Sequence, residues 1–417
     1  MRLLHPQTLL IVAGLLMLAF SLVPPDFYSY YVQEPDLMFG NVLMYGLIFA
    51  GLLLVWLGMQ LGVRLPRLRR WPMRTLLVVQ PLALILPPLL AAWSLLLLTM
   101  GLILHSDPAI LGLAMAGQGQ QIKLALHLVG QGSLTGSLPL AMGVSWWTLD
   151  RMLVLGDRIG RWQHRTIWAL VSMLIVTLVA SGLLLVARFV LMPTLFGLFL
   201  VYLRHRVLVR GASIGGLMLR AGVAALGILL LFGAMAMLRT SGSTDAVITS
   251  FLAYGPSSVN HLAALVDGRL NVDFISDRLL WNNFAFIFEF PFASRLFDWG
   301  SQMRGPFQES FWAIQRAGLN NDYNWFTALG EIFGGLGLLA VPYLLVLGLF
   351  LGRVWRQFER GSMVGVLLYP WLGFGVLFSF GSNFVASQFL SVLMVLALLL
   401  HVYTRIVGVR GKVPSSR

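Results

Sequence analysis

The sequence predicts an all-α integral membrane protein of about ten transmembrane helices, covered on one side by a helical cap. Three observations predict it. Apolar residues make up 58% of the chain and charged residues 11%, with a mean hydropathy of +0.83, whereas soluble domains run near half apolar and a quarter charged. Apolar stretches of ~20 residues, long enough to cross the hydrocarbon as helices, recur from end to end. Arginines gather in alternate gaps between them, as the excess of Lys and Arg in cytoplasmic loops requires.

The first stretch, Thr8–Val23, resembles a signal sequence, but no small-residue cleavage site precedes Pro24-Pro25 and further spans follow, so it is expected to remain as a helix. Pro24 to Asp36 is the first outer interruption. Phe39–Met59 follows and ends in a cluster of Arg64, Arg67, Arg69, Arg70 and Arg74. Leu76–Leu102 leads to a Gly- and Gln-rich outer stretch from His105 to Gln121, and Leu128–Leu149 returns the chain to Arg151, Arg158, Arg161 and Arg165. Ile167–Val186 and Phe189–Leu203 meet at Arg188 with almost no room for a loop, and Arg204, Arg206 and Arg210 come next. Ile214–Leu238 opens onto a long outer segment from Arg239 to Asn324. Trp325–Leu351, Val364–Phe380 and Phe384–Val402 complete the set, separated by Arg353, Arg356 and Arg360 on one side and by Gly381-Ser382-Asn383 on the other. With Arg2 and the tail residues Arg405, Arg410, Lys412 and Arg417, the Arg-rich gaps hold most of the basic residues and only Asp150, Asp157 and Glu359 of the acids. Both termini are therefore expected in the cytoplasm.

The outer segment is too long for an idle connection, since structureless loops beyond ~12–15 residues are uncommon. Asp245–Tyr254 and Ser257–Val266 read as two short helices broken at Gly255-Pro256, with Ser257 or Ser258 placed to cap the second. Phe274–Phe292 is rich in aromatics and suits a helix or hairpin lying in the membrane interface. Gln308–Ala317 suits a further short helix. The expectation is one polytopic membrane domain, 1–417, with a folded cap over 239–324, and no internal repeat.

The net charge of +13 follows from topology and anionic head groups, because arginines scattered among short loops form no nucleic-acid patch. A chain without Cys has no disulfide or thiol chemistry. It contains no HExxH, no paired CxxC and no GxxxxGK[ST], so neither a metal, a nucleotide nor any other cofactor is expected.

Candidate chemistry lies on the outer side. Arg188, at or just below the surface, either snorkels to head groups or pairs with a carboxylate, or it grips an anionic group such as a lipid diphosphate. Arg269, Arg278, Arg304 and Arg316 lie in the cap beside Asp267, Asp273, Asp277, Glu289, Asp298 and Glu309. Any one pair there reads as a surface ion pair, while the collection suits a diphosphate-linked sugar. Asn260, Asn271, Asn282, Asn283, Asn320, Asn321, Tyr323, Asn324, Trp299, Trp312 and Trp325 add amides and aromatic faces, which suit sugar binding, while interfacial anchoring explains the Trp residues equally. His261 is the His of the cap, a base or a structural side chain. Glu331 heads a span, either as a functional ionisable group or as a helix cap. Gly334, Gly335 and Gly337 permit close helix approach.

Tyr254-Gly255-Pro256, followed by Phe326-Thr327-Ala328-Leu329-Gly330-Glu331-Ile332-Phe333-Gly334-Gly335-Leu336-Gly337, resembles the Wzy-type O-antigen polymerases, the oligosaccharide repeat-unit polymerases of bacterial surface polysaccharides. The tight Arg turn and the large late outer loop are similar too. Many relatives have an acid before the first Gly, where this chain has Gly334, which leaves Glu331 as the nearest carboxylate. The resemblance implies a helical bundle of the GT-C and O-antigen ligase type in the bacterial inner membrane. It implies a glycosyltransferase that joins undecaprenyl-diphosphate-linked oligosaccharides at the periplasmic face without a nucleotide sugar, among membrane lipids and with room for a chain-length-regulating co-polymerase. Under it, Glu331 and His261 orient or deprotonate the attacking hydroxyl. Arg188 first, then Arg278 and Arg269, then Arg304 and Arg316 meet the diphosphate, and Tyr254, Asn324 and Thr327 contact substrate. Trp281, Phe284 and Phe288 border the path of the lipid tail. An O-antigen ligase would share the donor and differ in acceptor. A transporter or flippase usually shows repeats and midplane charges, which are not apparent here.

Overall fold

The computed structural model describes residues 4–65, 81–115, 134–156, 159–184, 188–208, 244–271, 273, 275–290, 296–297 and 304–409, with scattered positions between 216 and 237. Regular structure among the described residues is entirely helical. In order the helices are α1 (Pro6–Ser21), α2 (Pro25–Val32), α3 (Val42–Arg64), α4 (Pro81–Ser106), α5 (Ala109–Met115), α6 (Leu134–Leu155), α7 (Arg161–Leu184) and α8 (Arg188–Leu208). They continue as α9 (Thr244–Tyr254), α10 (Pro256–Val266), α11 (Ser276–Asn283), α12 (Ala285–Phe288), α13 (Arg304–Arg316), α14 (Thr327–Leu336), α15 (Ala340–Glu359), α16 (Met363–Leu377) and α17 (Gln388–Val409). Single 3₁₀ turns occupy Gly337–Leu339 and Phe384–Ala386. The expected stretch 214–238 lies mostly outside the described residues.

This is a helical membrane protein: among the described residues five helical segments are long and apolar enough to cross a bilayer, Val42–Arg64, Pro81–Ser106, Arg161–Gly182, Thr327–Glu359 and Gln388–Val407. The pair α1 and α2 makes a sixth candidate, bent by 90° where Pro24-Pro25 stops one helix and starts the next.

The chain forms two compact units. The first comprises Met1–Arg64, Ala236–Arg356 and Trp371–Ser391, and the second Leu65–Met235, Gln357–Pro370 and Val392–Arg417.

In the first unit α3 and α15 meet through four glycines. A Cβ on Gly58 or Gly62 would strike the carbonyl oxygens of Leu345 and Leu349, and one on Gly348 or Gly352 would strike those of Val55 and Met59. Glycines four apart on both partners bring the backbones into contact, the small-residue packing of membrane helices. The cap part has its own apolar core of Ala264, Leu270, Ile275, Leu279, Ala313, Ile314, Leu319 and Phe326. Gly334 and Gly335 serve packing: they let α11 lie on α14, where a Cβ at Gly335 would sit 2.6 Å from the Leu279 carbonyl carbon and the Leu280 nitrogen. Gly337, at φ +53°, makes the break between α14 and α15 in a conformation that L side chains rarely adopt.

The break at Gly255-Pro256 is where the sequence puts it, but the cap of α10 differs. Gly255 is the N-cap and Pro256 the first helical residue, so Ser257 and Ser258 fall inside the first turn and Ser258 Oγ bonds back to the Tyr254 carbonyl at 3.3 Å. Proline's fixed φ starts the helix before either serine can cap it. The described part of the aromatic stretch forms two short helices, α11 and α12, and α13 begins at Arg304, four residues before Gln308.

In the second unit α6 packs against α4, α7 and α8. Trp146 donates from Nε1 to the Thr194 carbonyl at 3.1 Å, and Gly197 of α8 leaves room for its indole. Trp93 of α4 donates to Thr177 Oγ1 of α7 at 3.0 Å.

Candidate functional site

Two buried carboxylates of the first unit, Glu34 and Glu331, are held in contrasting ways. Glu34 lies in the connection between α2 and α3. Its Oε1 accepts from His261 Nε2 at 2.9 Å and from the Asn320 backbone N–H at 2.9 Å, while Oε2 accepts from the Tyr28 hydroxyl at 2.5 Å and from Asn260 Nδ2 at 3.1 Å. Four donors fill the four acceptor positions of a carboxylate. His261 Nδ1 faces the Trp325 carbonyl at 3.0 Å. Each ring nitrogen thus meets an acceptor, which is the hydrogen-bonding pattern of an imidazolium paired with a carboxylate. Burial pushes the Glu34 carboxyl up, but the facing His261 and the hydrogen bonds from His261, Tyr28 and Asn320 outweigh it and hold it below its ordinary value. The cluster ties the α2–α3 connection to α10 and to the segment before α14.

Glu331 lies in the second turn of α14 and is 1% exposed. Ser382 donates its hydroxyl to Oε1 at 2.6 Å and the Asn383 backbone N–H donates to Oε2 at 2.9 Å, with the Asn282 side chain as a further hydrogen-bond partner. It caps no helix end. Around it, Asn383 Nδ2 donates to Asn283 Oδ1 at 2.8 Å, Asn283 Nδ2 donates to the Glu331 carbonyl at 2.7 Å, and the Tyr343 hydroxyl donates to the Asn283 carbonyl at 3.0 Å. Three partners on a carboxylate leave acceptor capacity that Glu34 lacks.

Arg278 of α11 is the cation buried beside this network. Its Nη1 donates to Ser310 Oγ at 2.5 Å and its Nη2 to the Asn324 carbonyl at 3.2 Å, and its guanidinium lies 5.6 Å and 6.0 Å from the ring centroids of Phe311 and Phe326. Burial draws the guanidinium down to about 10, opposed by the Glu331 charge, so it remains cationic at neutral pH.

The start of α14 is strained. Thr327 is buried with φ +61°, outside the ordinary range of a β-branched residue. Its Oγ1 accepts from the Gly330 N–H at 3.0 Å as a cap, and its own N–H donates to the Gly381 carbonyl at 3.0 Å, with Ala328 N–H on the Ser379 carbonyl at 2.7 Å. Strain of this kind gathers at functional sites.

Tyr254 packs edge-on against Trp325, with ring centroids 4.7 Å apart. Asn324 contributes its carbonyl to Arg278. Trp281 stacks on Phe288 at 4.8 Å and donates to Glu289 Oε1 at 3.0 Å, and Phe284 stands edge-on to Tyr343 at 5.9 Å, so the aromatic stretch borders the Glu331 network. Burial raises the Glu289 carboxyl, and the Trp281 bond only partly offsets this.

The other arginines are not gathered here. Arg269 and Arg316 are exposed, Arg316 in an open depression with Trp312 and Gln315. Arg304 opens α13 and Arg188 opens α8 in the second unit, and the side chains of both lie outside the described residues. Glu34, Tyr28, Asn383 and Tyr343 were not singled out from sequence. Pairing of His261 with a residue 227 positions away leaves no local signal. No family model, curated protein or solved structure matches the chain.

Proposed function

We propose that the protein is a lipid-carrier glycosyltransferase that polymerises undecaprenyl-diphosphate-linked oligosaccharide repeat units at the periplasmic face of the bacterial inner membrane. It would span that membrane about ten times in a GT-C-like bundle, with both termini in the cytoplasm. The observation that carries the reading is the meeting of its two sequence elements. Tyr254-Gly255-Pro256 and the segment opening α14 lie far apart in sequence, yet Tyr254 packs on Trp325 and His261 bonds the Trp325 carbonyl, with Glu331 and Arg278 alongside.

In this reaction an acceptor hydroxyl attacks the anomeric carbon of the donor chain. The new glycosidic C–O bond forms as the bond to the carrier diphosphate breaks, and the electron pair of that bond leaves with the diphosphate. Glu331, with acceptor capacity to spare, takes the hydroxyl proton. Its burial means that a substrate reaches it only after the turn at 381–383 or the aromatic wall of Trp281, Phe284 and Phe288 yields. Arg278, the cation buried beside it, supplies fixed positive potential for the departing diphosphate. His261, with both nitrogens engaged, acts by positioning Trp325 and the start of α14.

The test is the size distribution of surface polysaccharide on a gel, in cells lacking the gene and complemented with wild type or Glu331→Gln. Single repeats on the acceptor with long chains missing, in the deletion and in a well-expressed Glu331→Gln strain, is the expected result. Polymer retained on its lipid carrier with nothing attached to the acceptor would assign a ligase, and an unchanged profile would remove both readings.

A further inference from the structure

The second unit contains a group of buried charges that the proposed reaction does not use. Asp150 and Arg151 lie near the C-terminal end of α6 and Arg204 near that of α8, each no more than 6% exposed. Asp150 accepts from Arg151 Nε at 3.1 Å and from Arg151 Nη2, and its other oxygen accepts from Arg204 Nη2. Arg204 Nη1 donates to the Phe358 carbonyl at 3.3 Å. Two guanidiniums on one carboxylate leave an excess positive charge within this buried group.

Unsatisfied donors accompany that charge. Among the described residues no acceptor meets Arg204 Nε, and the buried Trp147 Nε1 and Thr148 Oγ1 of α6 also make no hydrogen bond. Trp147 and Thr148 precede Arg151 by four and three positions, so all three share one face of α6. Each buried donor left without an acceptor costs ~1–3 kcal/mol, and an uncompensated buried charge more. Excess cation with surplus N–H and O–H groups is the complement of an anion. The fixed fork of a guanidinium matches a phosphate best. The group sits near the Arg-rich ends of α6 and α8, and clustered arginines in a membrane protein characteristically meet anionic head groups.

We propose that Arg151, Arg204, Trp147 and Thr148 form a binding site for a phosphate group, supplied by the head group of an anionic membrane lipid. The site is independent of the glycosyltransferase reading.

Purified, delipidated full-length protein would be offered phosphatidylglycerol or phosphatidylethanolamine and examined by native mass spectrometry. In parallel its thermal stability in detergent would be followed in inorganic phosphate against chloride of equal ionic strength. One phosphatidylglycerol retained per chain where phosphatidylethanolamine is stripped, and bound about tenfold more weakly by Arg204→Gln, is the expected result. That variant leaves Asp150 paired with Arg151. Should it fail to fold, Thr148→Val removes one donor at nearly constant shape and is expected to weaken retention severalfold. Stabilisation by inorganic phosphate without lipid preference would also support the phosphate site and make a soluble phosphate compound its source. Equal retention of both lipids without stabilisation by phosphate, or wild-type retention in both variants, overturns the proposal.

Discussion

Replacement of Glu34 by Gln tests whether the buried Glu34–His261 pair holds the α2–α3 connection against the site. The amide has nearly the shape of the carboxylate but turns one acceptor oxygen into a donor. With its NH₂ toward His261 and Asn320, the imidazole can become an acceptor at Nε2, yet the Asn320 backbone N–H, 2.9 Å from Oε1, loses its partner. With its NH₂ toward Tyr28 and Asn260, the Tyr28 hydroxyl can turn, yet Asn260 Nδ2, 3.1 Å from Oε2, faces a donor. Either orientation strands a buried donor, which costs ~1–3 kcal/mol, and removes charge assistance from the bonds that remain. Breaking a buried pair by removing one partner costs ~3–5 kcal/mol in all, and that is the loss expected for Glu34→Gln at neutral pH. The dependence on pH has a definite sign. Glu34 is held below its ordinary value, so its contribution is fully present above the carboxylate value of the unfolded chain and is lost as pH falls through the lower folded value. Denaturant titration in detergent, wild type beside variant, should show a gap that closes as pH falls through the lowered Glu34 value. A double-mutant cycle with His261→Gln should give a coupling above ~1.5 kcal/mol. A gap below ~1 kcal/mol at neutral pH, or one independent of pH, would refute the reasoning.

At Thr327 the φ of +61° and the cap to Gly330 pull in opposite directions. Thr327→Ala loses the cap and keeps the strain, whereas Thr327→Gly loses the cap and relieves the strain, so the Gly variant should be the more stable by ~1 kcal/mol in the same titration. Gly348→Ala drives a methyl into the Val55 carbonyl where α3 and α15 touch, and a loss of ~1–3 kcal/mol is expected, against little change at the unobstructed Gly46. Arg278→Lys keeps the charge but not the fork that joins Ser310 to the Asn324 carbonyl; polymer yield on the gel should fall about tenfold with protein level unchanged.

What the sequence made legible is what local chemistry controls. The break at Gly255-Pro256 was visible because proline cannot continue one helix and readily begins another. Phe39–Met59 and Phe384–Val402 correspond to α3 and α17 because apolar length alone identifies them. The start of α13 was placed late because Pro306 in its first turn is compatible with helix, which breaker rules understate. Glu34 was passed over because, from sequence, an acid between two helices looks solvated. Its burial is set by Tyr28, Asn260, His261 and Asn320, and no periodicity links them. Glu331 was legible as an ionisable group at the head of a span, but its partners Ser382 and Asn383 come from a short turn read only as an interruption.

The contrast between the two carboxylates indicates how the site divides its work. A carboxylate with four donors has no position left for a substrate proton, so Glu34 acts through what it holds, and that includes the His261 contact to the carbonyl of Trp325. Trp325 directly precedes Phe326 and the strained Thr327, whose helix presents Glu331 one turn later. If strain at Thr327 fixes the direction in which Glu331 points, weakening the Glu34 cluster should lower activity before it unfolds the protein. His261→Gln, which can still donate to one neighbour, should then lose polymer at temperatures where its unfolding is undetectable, while Glu331→Gln should lose polymer with no change in stability beyond ~1 kcal/mol. Equal and parallel loss of activity and stability in His261→Gln would make the cluster a fold-wide lock with no specific bearing on Glu331.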